Sequence, residues 1–270
     1  MQATQQKANQ NNLLEKVFKL SEHGTNVKTE IIAGITTFMT MAYILAVNSN
    51  MLAEAGMDAG AVFVATALSA TISCFVMAFL SNYPIALAPG MGLNAFFAYT
   101  VVLQMGYTWQ MALLGVFIEG VLFIILTVTS LREQIINCIP KDLKNAVTAG
   151  VGLFIASVGM TNAGIINTAN GTLALSSLHD PLVVLSVVGL VIAGILVCRN
   201  VRGALLLSIL LTSAIGMLTG IVTLPTKIVS LNVPSLAPTF MQAFSVPLEK
   251  IFSLDMVIVV FTFLFMDLFD

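Results

Sequence analysis

The stretch Ser81–Thr100, SNYPIALAPGMGLNAFFAYT, decides how this chain is read. It is apolar enough for a bilayer, yet it holds Pro84, Pro89, Gly90 and Gly92. Proline inside a helix removes a backbone donor and clashes with the turn before it. A continuous helix through Pro89 is therefore excluded. YPIALAP is expected to be extended, with a half-helix starting near Gly92. Irregular backbone at membrane depth survives only where protein buries it or where it lines a cavity. The first turn of such a half-helix carries unbonded N–H groups and the positive end of the helix dipole. Asn94, one turn in, adds a donor and an acceptor. Spacing alone leaves two readings open: a helix end facing a ligand, or a proline kink in which Asn94 bonds a neighbouring helix.

The composition agrees with a membrane setting. Of 270 residues, 58% are apolar and 9% charged, and the mean hydropathy is +0.98. Soluble domains carry about 25% charged residues, so a soluble enzyme is excluded. The formal charge of -2 gives no basic footprint for nucleic acid. Cys74, Cys138 and Cys198 stand far apart, which argues against a zinc site or a disulfide framework. His23 and His179 have no partner at metal or catalytic spacing, and no HExxH, GxSxG or P-loop occurs. No metal and no cofactor are expected.

Charge-free runs locate the remaining spans, since about 20 apolar residues cross a bilayer as a helix. Eight are expected: 30–48, 61–80, one within 84–103, 109–130, 145–165, 182–198, 203–224, and an eighth from near 255 to the last residue. The fold class is an all-α polytopic membrane protein. Residues 1–29 form a cytoplasmic segment in which LLEKVFKL suits a short interfacial helix or a frayed tail. Residues 131–144 form a cytoplasmic loop, and 225–254, with four prolines, an extracytoplasmic connection. Nine of the eleven Lys and Arg residues fall on one side of this arrangement. By the positive-inside rule that side is cytoplasmic, together with the N-terminus. An odd count of seven spans before the eighth permits an inverted repeat to follow. The acids at the very end of the eighth span make the chain read as the N-terminal part of a longer protein.

Acids inside the spans are the other signal. Asp267 and Asp270, in FTFLFMDLFD, share a helical face. An acid at mid-membrane costs roughly 2.5–3.5 kcal/mol on insertion scales and usually marks a pathway or relay. Asp270 can instead be solvated at the cytoplasmic surface. Glu119 sits mid-span in VFIEGVLF and must be protonated, paired or facing water; a proton relay and a structural hydrogen bond both fit. Thr36, Thr37 and Thr40 are expected to bond their own helix. Gly150, Gly152, Ala156 and Gly159 suggest close helix contact along the fifth span.

The runs ITTFMTMAYILAVN (35–48), YPIALAPGMGLNAFFAYT (83–100), VFIEG (116–120) and FMDLFD (265–270) resemble the AzgA-like branch of the nucleobase:cation symporters, within the xanthine/uracil permease family. That branch comprises permeases for hypoxanthine, guanine and adenine. The resemblance implies fourteen helices in two inverted seven-helix repeats, with a short strand breaking helices 3 and 10. Spans 1–4 (30–130) would belong to a core domain and spans 5–7 (145–224) to a gate, with the start of helix 8 at 255–270. It implies that Asn94, with Met91, Gly92 and Phe96 beside it, contacts the purine and that Asp267 binds the base edge. Asp267, Asp270 and Glu119 are then the candidates for coupling to a proton, the only co-substrate implied. The implied partners are a purine nucleobase and the lipid bilayer of the cell membrane; a homodimer is compatible and nucleic acid is not implied. The second half of the site is absent from this sequence, so the chain alone is not expected to transport. A uracil, xanthine or anion carrier of the same fold is the alternative, and an intramembrane aspartyl enzyme the alternative of another class. Two acids on one helical turn suit a binding surface better than an aspartyl dyad, whose acids face each other across a cleft.

Overall fold

The computed structural model describes residues 13–129, 131–167, 174–177, 179–201, 203–223, 232–246 and 253–269. Helices account for most of them. They are α1 (Leu13–Phe18), α2 (Val27–Met41), α3 (Ile44–Glu54), α4 (Ala59–Val76) and α5 (Met91–Ala95), then α6 (Trp109–Val128), α7 (Leu131–Cys138), α8 (Lys141–Asn162), α9 (Pro181–Cys198), α10 (Ala204–Leu218) and α11 (Leu254–Phe269). Two π-helical stretches, Met77–Ser81 and Phe96–Gln104, continue α4 and α5. A two-residue antiparallel pairing, Ile166 with Leu175 and Asn167 with Ala174, is the departure from an all-α chain.

All eight expected spans have a helical counterpart. Five helical runs are long and apolar enough to cross a membrane: 27–54, 59–81, 109–128, 141–162 and 181–198. The first is longer than expected and turns at Ala42–Tyr43; the fifth begins at Lys141 because Pro140 supplies its start. The seventh helix ends at Leu218, six residues short of the expected 224. The helix starts have identifiable causes. Asn26 Oδ1 accepts from the Thr29 amide at 3.0 Å to open α2. Asp58 Oδ1 accepts from Ala61 at 2.7 Å at the start of α4. Pro181 stands at the first position of α9, where its missing N–H costs nothing.

The chain divides into two compact units. The first holds Met1–Leu45, Thr66–Ala88 and Val187–Leu224. There α2 packs on α10, and Met39 lies 3.4 Å from where a Cβ on Gly203 would sit. LLEKVFKL does form a short helix, α1, fastened to the end of α4. Asn82, in the left-handed region at φ 51°, donates from Nδ2 to the Phe18 carbonyl at 3.1 Å, and the Phe18 and Phe79 rings stand 5.6 Å apart. The extended segment after it is held by sulfur: the Leu87 amide donates to Cys74 Sγ at 3.2 Å, and Sγ lies 3.4 Å from the Leu87 carbonyl.

The second unit holds Ala46–Ala65, Pro89–Ser186 and Pro225–Asp270. Its core gathers Met51, Phe97, Val101, Val259 and Phe263, all buried. Helices α6 and α11 form its most extensive pairing, which includes Gly115, where Met256 Sδ lies 3.4 Å from the place of a Cβ. The described part of the proline-rich connection is folded rather than loose. Its 3-10 turn Gln242–Ser245 packs on α6, with Phe244 edge-on to Phe117 at 4.9 Å.

Outside this core the apolar surface stays open. Phe38 is 64% exposed, Ile72 63% and Leu153 72%. Water does not tolerate so much contiguous apolar surface; lipid does. The hydroxyls on these faces turn inward to their own helices. Thr36 donates to the Ile32 carbonyl at 2.8 Å, Thr37 to Ala33 at 2.9 Å and Thr40 to Thr37 at 2.7 Å.

Candidate functional site

The site grows from the break before α5. Residues 82–90 form neither helix nor strand, and α5 begins at Met91 with Gly90 as its extended cap. The half-helix thus starts one residue before the expected Gly92. No side chain caps it, and the first backbone bond that closes its initial turn runs from the Asn94 amide to the Gly90 carbonyl at 3.2 Å. Gly92 is buried, and a Cβ there would stand 3.1 Å from Val151 Cγ1 and 3.7 Å from Ile155 Cδ1. Its lack of a side chain lets α8 approach the helix start.

Asn94 does bond a neighbouring helix: its Nδ2 donates to Asn48 Oδ1 on α3 at 2.6 Å. Asn48 is 3% exposed, Asn94 half-buried. With Nδ2 committed to Asn48, the Asn94 Oδ1 projects to the opposite side of the amide and stays an acceptor. That Asn48 is the partner of Asn94 was not foreseen from the sequence. The available signal was two carboxamides in two apolar spans, since polar side chains in a membrane pair across helices.

Phe96, two residues on, is half-buried and meets Phe263 of α11 edge-on, with ring centroids 5.3 Å apart. That contact ties the half-helix to the acid-bearing helix, because Asp267 follows Phe263 by one turn. Asp267 is half-buried on α11, the helix that packs against α6, which carries Glu119. Glu119 itself is 7% exposed, and its Oε1 has no hydrogen-bond partner among the described residues. The second acid, Asp270, lies outside the described residues. Met91, Gly92, Asn94, Phe96, Glu119 and Asp267 therefore belong to one compact unit.

Two further features were not legible beforehand. Asn162, at the end of α8, donates from Nδ2 to the Tyr99 hydroxyl at 2.6 Å. The proposed contact stripe on the fifth span is corrected. A Cβ on Gly150, Gly152 or Gly159 would meet nothing within 4 Å among the described residues, and α8 packs instead through Val151 and Ile155. Small residues give a helix the capacity for close approach; they do not supply the neighbour. Among the described residues no cluster of His, Cys, Asp and Glu could hold a metal ion. A separate cavity of about 610 Å³ in the first unit is lined mostly by apolar side chains of α2, α4 and residues 83–88.

The residues that surround the break can be set beside known proteins. The profile described as the permease family matches residues 28–270. The chain belongs to that family, the xanthine/uracil permeases. Its members are transporters and not enzymes, so the aspartyl-enzyme alternative falls. A protein of Methanocaldococcus jannaschii is 49% identical over 258 residues, 95% of this chain and 58% of its own length. The guanine/hypoxanthine permease PbuG of Bacillus subtilis is 48% identical over 267 residues, 95% of this chain and 60% of its own length. The adenine permease AdeP of Escherichia coli is 42% identical over 260 residues, 96% and 57% respectively. The chain thus spans about three-fifths of the length of these relatives. With its apolar helices, this makes the permease an integral, multi-pass membrane protein.

Proposed function

We propose that the protein containing this chain is a purine nucleobase permease of the cell membrane, driven by protons. The observation that carries the reading is the likeness of nearly the whole chain to proteins named as guanine/hypoxanthine and adenine permeases. The chemistry at the break in the third span supports it. A purine offers N–H donors and ring acceptors around one planar edge. An ionised Asp267 accepts from the N–H groups, a charge-assisted bond that is strong where water is excluded. The carboxamide of Asn94, held in place by Asn48, accepts or donates at a second point. Phe96, Met91 and the backbone at Gly92 form the wall beside it. Asp270 supports Asp267.

The transport cycle is alternating access. Spans 1–4 form the core with the start of helix 8, and spans 5–7 the gate. A second, inverted set of seven helices completes the fold, with its own broken helix facing the first. The N-terminus is cytoplasmic. Reporter tags at Lys141 and Asn200 then read cytoplasm and a tag at Asp58 the outside; a cytoplasmic signal at Asp58 would overturn the orientation. The same fold admits a homodimer, read as co-migration of two differently tagged copies.

The deciding experiment is uptake of labelled hypoxanthine, guanine, adenine, uracil and xanthine by the full-length gene product, with and without a protonophore. Purine uptake that collapses with the protonophore is expected. Uptake of uracil or xanthine alone would move the substrate within the family. Purine uptake indifferent to the protonophore would remove the proton.

A further inference from the structure

Helix α8 brings two branched side chains to the residue at which the half-helix begins to wind. Gly92 is buried, and the place of a Cβ on it stands 3.1 Å from Val151 Cγ1 and 3.7 Å from Ile155 Cδ1. Val151 and Ile155 are four residues apart and so lie on one face of α8. Both are only half-buried, so each keeps accessible surface.

The same helix is fastened further along. Phe154 and Val158 pack on the core cluster that holds Ala95, Phe97 and Ala98, and Asn162 bonds the Tyr99 hydroxyl at 2.6 Å. Helix α8 thus runs beside the half-helix and its π-helical extension, with apolar contacts at Gly92 and a polar tie at Tyr99. These contacts hold Val151 and Ile155 at the level of Gly92.

Neither side chain carries a hydrogen-bond donor or acceptor. A ligand edge bearing N–H groups or lone pairs would lose its water against them with nothing in return, which is costly. An edge bearing C–H loses nothing. Guanine, hypoxanthine and adenine differ at C2 and C6, and C8–H is the carbon-bound hydrogen that all three share. Their N–H groups and ring acceptors are what Asp267 and Asn94 are suited to meet.

Resting on the purine-permease reading above, we propose that Val151 and Ile155 are specificity-determining residues: they cover the C8–H edge of the base and exclude bases substituted there. Interiors packed around branched side chains accept added volume poorly. One methylene more in a hydrophobic pocket changes discrimination by about ten-fold to two-hundred-fold.

The test is competition for uptake by the full-length protein in membrane vesicles. The labelled substrate is whichever purine the wild type takes up, and the competitors are that base unlabelled, its 8-methyl derivative and its 9-methyl derivative. In the wild type the 8-methyl base should need at least ten-fold more for half-inhibition than the parent base. Val151→Ala and Ile155→Ala open space at C8, and each should lower that ratio at least three-fold while the 9-methyl ratio stays put. A merely loosened site would move both ratios together. Leu153→Ala, on a residue 72% exposed on the same helix, should move neither. A wild type indifferent to the 8-methyl group would overturn the proposal, as would joint movement of both ratios or an unmoved 8-methyl ratio in both alanine variants. Should those variants fail to reach the membrane, Ile155→Val decides, and an unmoved 8-methyl ratio there counts against the wall. A wild type that takes up no purine removes the purine reading and the wall with it, a result told apart from purine uptake that ignores C8.

Discussion

Helices α6 and α8 are two apolar spans of the same unit, 20 and 22 residues long, with opposite fates. Helix α6 buries Met111, Ala112, Leu114, Gly115 and Glu119; α8 buries none of its residues. Both are long and apolar enough to cross a membrane, so partition into lipid alone does not explain the difference in burial. What separates them is the neighbour. Helix α6 has α11 against one side and the folded connection at Gln242–Ser245 against another. Helix α8 meets α5 through Val151 and Ile155, while its glycines at 150, 152 and 159 look onto open space among the described residues. Only a helix with a packed partner can keep a carboxyl away from both lipid and water. The charged residue of the first seven spans that lies away from their ends, Glu119, accordingly sits on α6.

The contrast can be broken most severely at the acid of α11. In the full-length protein Asp267→Asn removes the charge and converts an acceptor into a donor. A hydrogen bond to a charged group contributes about 1.5–3 kcal/mol, so purine uptake should fall by roughly ten-fold to more than a hundred-fold. Membrane levels measured on blots should stay normal, and Asp267→Glu should be milder. Uptake near wild type in Asp267→Asn would separate the acid pair from the substrate.

Next comes the seam itself. Gly115→Val forces a branched side chain against Met256 and Val259, and overpacking of this kind costs about 1–3 kcal/mol. Thermal unfolding in detergent should shift down by several degrees. Gly152→Val on α8, with nothing near its Cβ, should leave that transition within about a degree of wild type. Equal shifts in the two variants would erase the distinction between the helices.

A smaller effect is expected where α3 meets α5. Asn94→Ala and Asn48→Ala should each raise the apparent KM for purine about five-fold, the value of roughly 1 kcal/mol for one hydrogen bond. The double variant should be little worse than either alone, because both remove the same bond. Additive losses would mean that the two carboxamides act separately. The least effect belongs to Gly150→Ala, which should change stability by less than about 0.5 kcal/mol, read as an unmoved unfolding midpoint.

The parts of this arrangement written in the sequence are those that one residue type dictates. Pro89 and Gly90 end any helix, and α5 starts at the following residue. Glu119 and Asp267 were visible because acids in apolar runs are rare and have a cost. Asn94 stood out by its place near the break, and in the structure it bonds another helix. That Asn48 is its partner was hidden, since the register between two spans is set by the packing of everything around them. The glycine stripe misled for the same reason. The π-helical stretches at Met77–Ser81 and Phe96–Gln104 carry no residue pattern that tells them from ordinary helix. For Asp270, the structure adds nothing to what the spacing implies.

The tie between Cys74 and Leu87 bears on how the membrane receives this chain during synthesis. Each unpaired peptide group carried into hydrocarbon costs several kcal/mol, and residues 82–90 have no helix to satisfy theirs. A translocon releasing the third span alone would have to place those groups in lipid. The sulfur lies only thirteen residues upstream of the peptide it holds, so the contact can form as soon as both have left the ribosome. The helix α4 and the broken segment behind it are thus suited to enter the bilayer as one hairpin, with the thiol closing the open edge before any later helix arrives.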